Sequence, residues 1–225
     1  MTIAQQFTST KEKYLEYDFE ARKLRRNEAI NKEIARKNLL DMKKILEEHH
    51  VNFFLLYGTV LGALREKDFI SHDTDTDIGI FEKEKANLIE SIPSLLDAGF
   101  TLIRTKFPDD LVTFMREDEY IDIGIFTKEK HALKEYYTYQ GNLIDLHFLD
   151  TLEEIEFLGE KFYVPSSTEL FLEKNYGKDW RIPCKDEPAM NLGYKNSYYR
   201  LKRMFLRTAL GKKLKPLVKK LLGRH

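Results

Sequence analysis

The spacing of apolar positions changes along the chain, and each change predicts a new element. From about Thr8 to His50 apolar residues recur every three or four positions among charged ones, which predicts one or two amphipathic helices. Val51–Tyr57 is a short, mostly apolar run of the kind found in β-strands, and Gly58 ends it. Residues 59–65 then return to helical spacing. The first part of the chain is therefore predicted to be helical, with one strand leading into a glycine turn and a further helix.

Short strands dominate the middle of the chain. Thr76–Phe81 is predicted as a strand after a polar turn, and Glu82–Leu96 as an amphipathic helix with a division at Pro93. Further strands are predicted at Thr101–Lys106, Leu111–Arg116, Tyr120–Phe126, Leu143–Leu149 and Glu156–Val164, and a further helix at Ser167–Lys174. This order favours the α/β (α+β) class, with one mixed sheet flanked by helices.

Composition and length indicate one folded domain with appendages. The chain has 225 residues, of which 42% are hydrophobic and 33% charged, and these values exclude general disorder. We expect an N-terminal helical extension over residues 1–50, a catalytic domain over residues 51–200, and a basic amphipathic tail over residues 201–225. The tail carries nine Lys or Arg and no acid between residues 202 and 224.

Charge and targeting signals limit the partners and the location. Lys and Arg together number 37, as do Asp and Glu, so no overall field attracts nucleic acid, and we expect none as a partner. The N-terminal sequence is charged and no apolar run approaches ~18 residues, so we expect neither a signal peptide nor a membrane span. A single cysteine, Cys184, fits a reducing compartment. These features suggest a cytoplasmic protein. Its tail either touches the inner face of the membrane peripherally or docks on the chain itself or a partner.

The candidate chemistry lies between Leu55 and Phe81. Asp75 and Asp77 alternate at the start of a predicted strand, so both carboxylates point to the same side and repel one another unless a cation lies between them. Mg²⁺ or Mn²⁺ bound to substrate phosphate suits such a pair. The N–H groups after Gly58 and the hydroxyl of Thr59 could hold anionic oxygens at a helix N-terminus, and Arg65 could add a bidentate contact.

A third acid is needed to complete such a site and to act as base toward an acceptor hydroxyl. Two residues occur in the same setting, an apolar residue and Ile before the acid and an apolar residue after it. They are Asp122 in YIDIGIF and Asp145 in LIDLHFL. We favour Asp122 and keep Asp145 as the alternative.

Four segments resemble the successive motifs of the fukutin and LicD-type phosphotransferase family, within the nucleotidyltransferase superfamily. The similarity runs from about Val51 to Pro183, through YGTVLGALR, HDTDTDIGIF, YIDIGIF and VPSSTELFLEKNYGKDWRIP. It implies a nucleotidyltransferase-like fold in which Asp75, Asp77 and Asp122 bind metal and catalyse, with Asp73 just outside the pair. The positions that match the donor-phosphate turn and helix are Gly58, Thr59, Gly62 and Arg65. His72 and Thr74 depart from the family pattern, where bacterial relatives commonly carry Trp and Asp.

The resemblance implies transfer of a phospho-alcohol, such as phosphocholine, ribitol phosphate or glycerol phosphate, from a CDP-linked donor to a glycan or lipid-linked sugar, with CMP leaving. By analogy, this suits assembly of a surface polysaccharide or capsule. One alternative keeps the fold but transfers a nucleoside monophosphate, releasing pyrophosphate. A second is a calcium-binding protein without turnover, since Asp73, Asp75, Asp77 and Glu84 fall on EF-hand positions 1, 3, 5 and 12. Against it, Ile78 stands where the loop needs glycine.

Overall fold

The computed structural model of this chain describes residues 28–183 except residues 107–110, 132, 140 and 141. The described residues fall into two compact units that divide between Leu172 and Glu173. The helices are α1 (Lys32–Glu48), α2 (Tyr57–Arg65), α3 (Lys85–Asp97) and α4 (Thr168–Tyr176), with 3-10 turns at Glu82–Glu84 and Leu146–Phe148. The strands are β1 (Phe53–Leu55), β2 (Thr76–Phe81), β3 (Thr101–Lys106), β4 (Leu111–Arg116), β5 (Glu119–His131), β6 (Lys134–Tyr139), β7 (Asn142–Asp145), β8 (Leu152–Phe157) and β9 (Glu160–Pro165).

One mixed sheet organises the first unit. Its order is β3-β4-β5-β2-β1-β9-β8, and the far end of β5 also pairs with β6, which pairs with β7. The central pair, β2 and β5, is parallel, as is β1 with β9, whereas the other neighbours are antiparallel. The predicted mixed sheet with flanking helices is thus confirmed.

The two central strands carry the same five residues, Asp-Ile-Gly-Ile-Phe, at positions 77–81 and 122–126. They pair in register, so that Asp77 lies opposite Asp122 and Phe81 opposite Phe126. The isoleucines of both strands are buried on one face. Because side chains alternate along a strand, the two aspartates lie together on the opposite face.

Helix α1 packs on the isoleucine face through its apolar stripe, in which Leu39, Met42 and Leu46 are fully buried. Its N-cap is Asn31, whose side chain accepts hydrogen bonds from the N–H groups of Glu33 and Ile34. Lys32–Glu48 belongs to the same compact unit as the sheet. The division at residue 50 stays a prediction.

Several element boundaries differ from those predicted. The segment predicted as one strand, Glu156–Val164, is part of a hairpin of β8 and β9, which turns at Leu158 and Gly159 with φ values of 57° and 84°. Only Asn142–Asp145 of the strand predicted up to Leu149 is extended. Strand β6 was not predicted. Helix α3 runs through Pro93 without a division, and α4 ends at Tyr176 rather than Lys174.

The second unit is described from Glu173 to Pro183. Gly177, at φ 92°, ends the helix, and its N–H donates to the carbonyl of Glu173 at 2.7 Å. The predicted basic tail, residues 201–225, lies outside the described residues, as does Cys184. Within the described part of the chain, no helix has the length and apolarity needed to cross a bilayer.

Candidate active site

The three carboxylates favoured from the sequence come together at one end of the central strands. Asp75, Asp77 and Asp122 each present a carboxylate oxygen, and these oxygens lie within 4.8 Å of one another. All three residues are partly buried. The parallel register of β2 and β5 contributes to this proximity, because it sets Asp77 directly beside Asp122, and Asp75 lies in the bend just before β2.

The electrostatics of the cluster favour a positive ion. Burial, together with the negative charges of Asp75, Asp73 and Asp122, raises the pKa of Asp77 well above its ordinary value. A hydrogen bond from the backbone N–H of Gly58 acts in the opposite direction. Like charges this close favour protonation of one partner or binding of a cation. Three carboxylate oxygens are ligands that Mg²⁺ and Mn²⁺ accept, so the residues present fit such an ion.

The glycine turn holds Asp77 in place. Helix α2 has no side-chain N-cap, and the Gly58 N–H in its first turn donates to the Asp77 carboxylate. The Thr59 hydroxyl accepts a hydrogen bond from the Asp77 N–H at 2.8 Å, and the Leu56 N–H donates to the Asp77 carbonyl at 3.1 Å. The positive end of the α2 dipole therefore faces the carboxylates.

Backbone strain accompanies this turn. Tyr57, the first residue of α2, has φ 45°, a conformation that a bulky side chain rarely adopts and that costs about 1–3 kcal/mol. Its buried ring stacks on Tyr139 at 6.3 Å between ring centres. Such strain persists where the surrounding packing enforces it, and here it directs the Gly58 N–H toward Asp77.

Gly58 and Gly62 both lie in close contact with neighbouring groups. A Cβ on Gly58 would overlap the Asp73 carboxylate, and one on Gly62 would lie 2.6 Å from the Asp68 carbonyl oxygen. The absence of a side chain therefore lets α2 lie close to the segment before β2 at two places, next to Asp73 and next to Asp68. The contact with phosphate expected of these glycines stays a prediction.

Arg65 lies at the opposite end of α2 from Gly58, about 10 Å along the helix axis. Its side chain is only 4% exposed, and its Nη2 lies 2.9 Å from the Glu66 carboxylate. The structure thus does not bring Arg65 and the turn residues together at one end of the helix. A contact between Arg65 and donor phosphate stays a prediction.

Asp145, the alternative third acid, lies on β7 and pairs with Lys134 at 2.6 Å. Asp122 instead accepts a hydrogen bond from Thr113 on β4, at 2.5 Å between oxygens. Sequence reasoning did not identify Thr113, because only the register of β4 against β5 sets it opposite Asp122.

The calcium-loop alternative does not fit this geometry. Residues 76–81 form an extended strand, so Glu84 lies about 20 Å along the chain from Asp77. The buried Glu84 carboxylate accepts hydrogen bonds from Asn52 instead of turning back to the aspartates. An EF-hand loop needs the twelfth residue to return to the ion.

The N-terminal end of α1 supports the acidic turn. The Ile30 N–H donates to the Asp73 carbonyl at 2.8 Å, and the Asn31 N–H donates to the Glu119 carboxylate at 2.8 Å. Lys32 pairs with Asp68 at 3.0 Å. Residues 30–32 thus connect the turn before β2 to the start of β5.

Residues 50–167 match the family model described as LicD/FKTN/FKRP, nucleotidyltransferase domain. The chain is 32% identical over 166 residues to human ribitol-5-phosphate transferase FKTN, covering 70% of this chain and 36% of that protein. Identity to the mouse FKTN is 34% over 158 residues, covering 66% and 34%. The chain therefore spans about a third of the length of these curated relatives.

Among solved structures, the antibiotic-resistance factor ANT(2'')-Ia in solution aligns with TM-score 0.47 and 14% identity, covering 85% of this chain and 95% of that one. The crystal structure of ANT(2'')-Ia in complex with adenylyl-2''-tobramycin aligns with TM-score 0.45. The family match covers just over half of the chain and contains all three clustered aspartates. The chain belongs to the LicD/FKTN/FKRP nucleotidyltransferase-domain family.

Proposed function

We propose that this chain transfers a phospho-alcohol from a CDP-activated donor to a sugar hydroxyl of a glycan or lipid-linked acceptor, with CMP leaving. The observation that carries the proposal is the cluster of Asp75, Asp77 and Asp122, whose carboxylate oxygens lie within 4.8 Å of one another. Membership of a family that includes ribitol-5-phosphate transferase FKTN supports the donor class. Peripheral association with the inner face of a membrane, and a role in a surface glycan or capsule, belong to the same proposal.

Asp75, Asp77 and Asp122 would together hold Mg²⁺ or Mn²⁺. When bound, such an ion neutralises charge on the donor phosphates and on the leaving group. The Gly58 N–H and the Thr59 hydroxyl keep Asp77 in the orientation that ion binding needs.

Asp122 also acts as base toward the acceptor. The acceptor oxygen forms a new bond to the phosphorus that carries the alcohol, and the bond from that phosphorus to the bridging oxygen of the donor breaks. CMP leaves with the bridging oxygen, and the acceptor proton passes to the Asp122 carboxylate.

The proposal is tested by following CMP release from CDP-ribitol, CDP-glycerol and CDP-choline with Mg²⁺ and candidate glycan acceptors. We expect the wild type to consume one donor and Asp77→Asn to lose about a thousandfold in turnover while remaining folded. Asp122→Asn should behave like Asp77→Asn, whereas Asp145→Asn is a matched control in a similar sequence setting and should keep its activity.

The outcomes separate the alternatives. Release of pyrophosphate from a nucleoside triphosphate, with no CMP from any CDP donor, would replace phospho-alcohol transfer by nucleotidyl transfer. Turnover retained in Asp77→Asn would refute the assigned site. Loss of turnover in Asp145→Asn but not in Asp122→Asn would show that Asp145, and not Asp122, is the third acid of the site.

A further inference from the structure

Buried Thr113 and partly buried Asp122, a member of the acidic cluster, form a cross-strand pair. The two residues lie opposite one another in the antiparallel ladder of β4 and β5. The Thr113 hydroxyl donates to Oδ1 of Asp122 at 2.5 Å, and Thr113 is only 1% exposed. A separation of 2.5–2.7 Å is typical of a charge-assisted bond from a hydroxyl to a carboxylate.

Such a bond restricts the carboxylate of Asp122. Rotation about the last bond of an aspartate side chain is broad, so the direction of its two oxygens is set by their partners. With one oxygen held by Thr113, the plane of the carboxylate is fixed relative to Asp75 and Asp77. Asp77 is restrained differently, since Thr59 binds its backbone N–H and Gly58 its carboxylate.

Strand pairing does not require this hydroxyl. The β4–β5 ladder extends over six residue pairs, from Leu111 opposite Gly124 to Arg116 opposite Glu119. Valine has nearly the shape of threonine and suits a strand at least as well. Replacing Thr113 by valine therefore removes the donor and leaves the strand its shape.

We propose that Thr113 is a positioning residue of the metal site, whose hydroxyl orients Asp122 toward a divalent cation shared with Asp75 and Asp77. The inference rests on the proposed function, which gives the cation its role in catalysis. Binding of the cation can nevertheless be measured without turnover. Loss of an outer partner of a metal ligand commonly weakens metal affinity by 10–100-fold.

The test is Mn²⁺ binding to the full chain without substrate, followed through the electron paramagnetic resonance signal of free Mn²⁺. We expect Thr113→Val to raise the Kd for Mn²⁺ about tenfold or more, and Thr113→Ser, which keeps the hydroxyl, to stay within about threefold of the wild type. Thr138→Val is the matched control, because Thr138 is also a buried strand threonine but donates to the backbone carbonyl of Thr127.

A second readout separates positioning from stability. In EDTA, thermal unfolding of Thr113→Val should match that of the wild type, and its turnover should recover as Mg²⁺ is raised. If the valine variant does not fold, Thr113→Ala replaces it in the same measurement. Equal Mn²⁺ affinity in wild type and the folded variant lacking the hydroxyl would overturn the role of Thr113.

Failure of the proposed function has a different signature. A wild type that binds Mn²⁺ but consumes no CDP-linked donor contradicts the donor chemistry, while the Kd values still decide the role of Thr113. A wild type that binds no Mn²⁺, alone or with CDP donors, overturns both inferences.

Discussion

The Asp73 carboxylate lies directly against Gly58, so a change at either residue affects the packing of the other. Gly58→Ala should displace the Asp73 carboxylate, because the added Cβ would lie 2.1 Å from its Oδ2. Overpacking of this kind costs about 1–3 kcal/mol, and here it also disturbs the N–H that binds Asp77. We expect a lower denaturation midpoint and at least tenfold weaker Mn²⁺ binding.

Asp73→Ala in the Gly58→Ala background should recover part of both losses, since it removes the overlapping oxygen. A double-mutant cycle measures the coupling between the two changes. Strictly additive effects would show that the contact between Gly58 and Asp73 does not determine the packing of the turn.

Among single residues, the sequence predicted the three aspartates of the cluster but not the residues that form hydrogen bonds to them. Alternation in DTDIGIF predicted Asp75 and Asp77 on one side, and the setting of Ile before Asp on a later strand gave Asp122 as the favoured third acid, with Asp145 as the alternative. Thr113 could not be found in the same way, because its importance depends on which residue of β5 it faces. Thr59 and Gly58 were expected to bind phosphate, and their bonds to Asp77 arise only when α2 packs beside β2.

Helix α1 is joined to the β4–β5 hairpin by Arg116, whose side chain is 10% exposed. Arg116 donates to Asn38 at 2.7 Å, to Asp41 at 2.6 Å and to the carbonyl of Ala98 at 3.1 Å, and its guanidinium lies 4.3 Å from the centre of the Phe100 ring. Asn38 is fully buried and donates back to the Arg116 carbonyl. Such a network specifies how the helix sits on the sheet.

Arg116→Met should lower the free energy of unfolding by about 2–4 kcal/mol, because it leaves the side-chain oxygen Oδ1 of Asn38 buried without its donor. Chemical denaturation measures this loss. Lys37→Met is the control, since it removes an exposed pair with Glu117 and should change the free energy of unfolding by less than about 0.5 kcal/mol. Equal effects of the two substitutions would contradict a structural role for the buried network.

Helices and strands were predicted correctly where the spacing of apolar residues is regular. They were missed where the residues of a turn, or a neighbouring strand, determine the structure. The β8–β9 turn contains Leu158 at φ 57°, a position that normally takes Asn, Asp or Gly, so the apolar pattern continued through it. Strand β6, KEYYTY, has no apolar alternation and forms because β5 offers it a partner. Helix α3 stays continuous at Pro93, where buried Leu88, Ile92 and Leu95 hold both halves against the core.

The whole molecule should respond to pH through Asp77. Because its pKa is raised, the folded chain binds this proton more tightly than the unfolded chain does. The metal-free protein should therefore lose stability as pH rises from the ordinary aspartate pKa of about 3.9 through the raised value. Asp77→Asn should lack this decline and unfold at a higher denaturant concentration at neutral pH.

The measurement is the denaturant midpoint in EDTA across that pH range, taken as the difference between wild type and Asp77→Asn. Groups remote from Asp77 titrate in both proteins and cancel in the difference. Glu153 is one of them; the Ser167 N–H is the main cause of its lowered pKa, and the stability it adds is lost as pH falls. Saturating Mg²⁺ should stabilise the wild type selectively at neutral pH. A difference that does not vary with pH would refute the electrostatic account.

The repeated pentapeptide in β2 and β5 also bears on self-association. Identical segments stacked in parallel register are the arrangement found in cross-β fibrils, and DIGIF is short, apolar apart from its aspartate, and free of proline. Each copy carries one charge, and stacking it on another copy brings aspartates together, as Asp77 and Asp122 are in the fold. An unfolded chain thus exposes two self-complementary segments, and at neutral pH the aspartates that form the candidate active site oppose their pairing with a second chain.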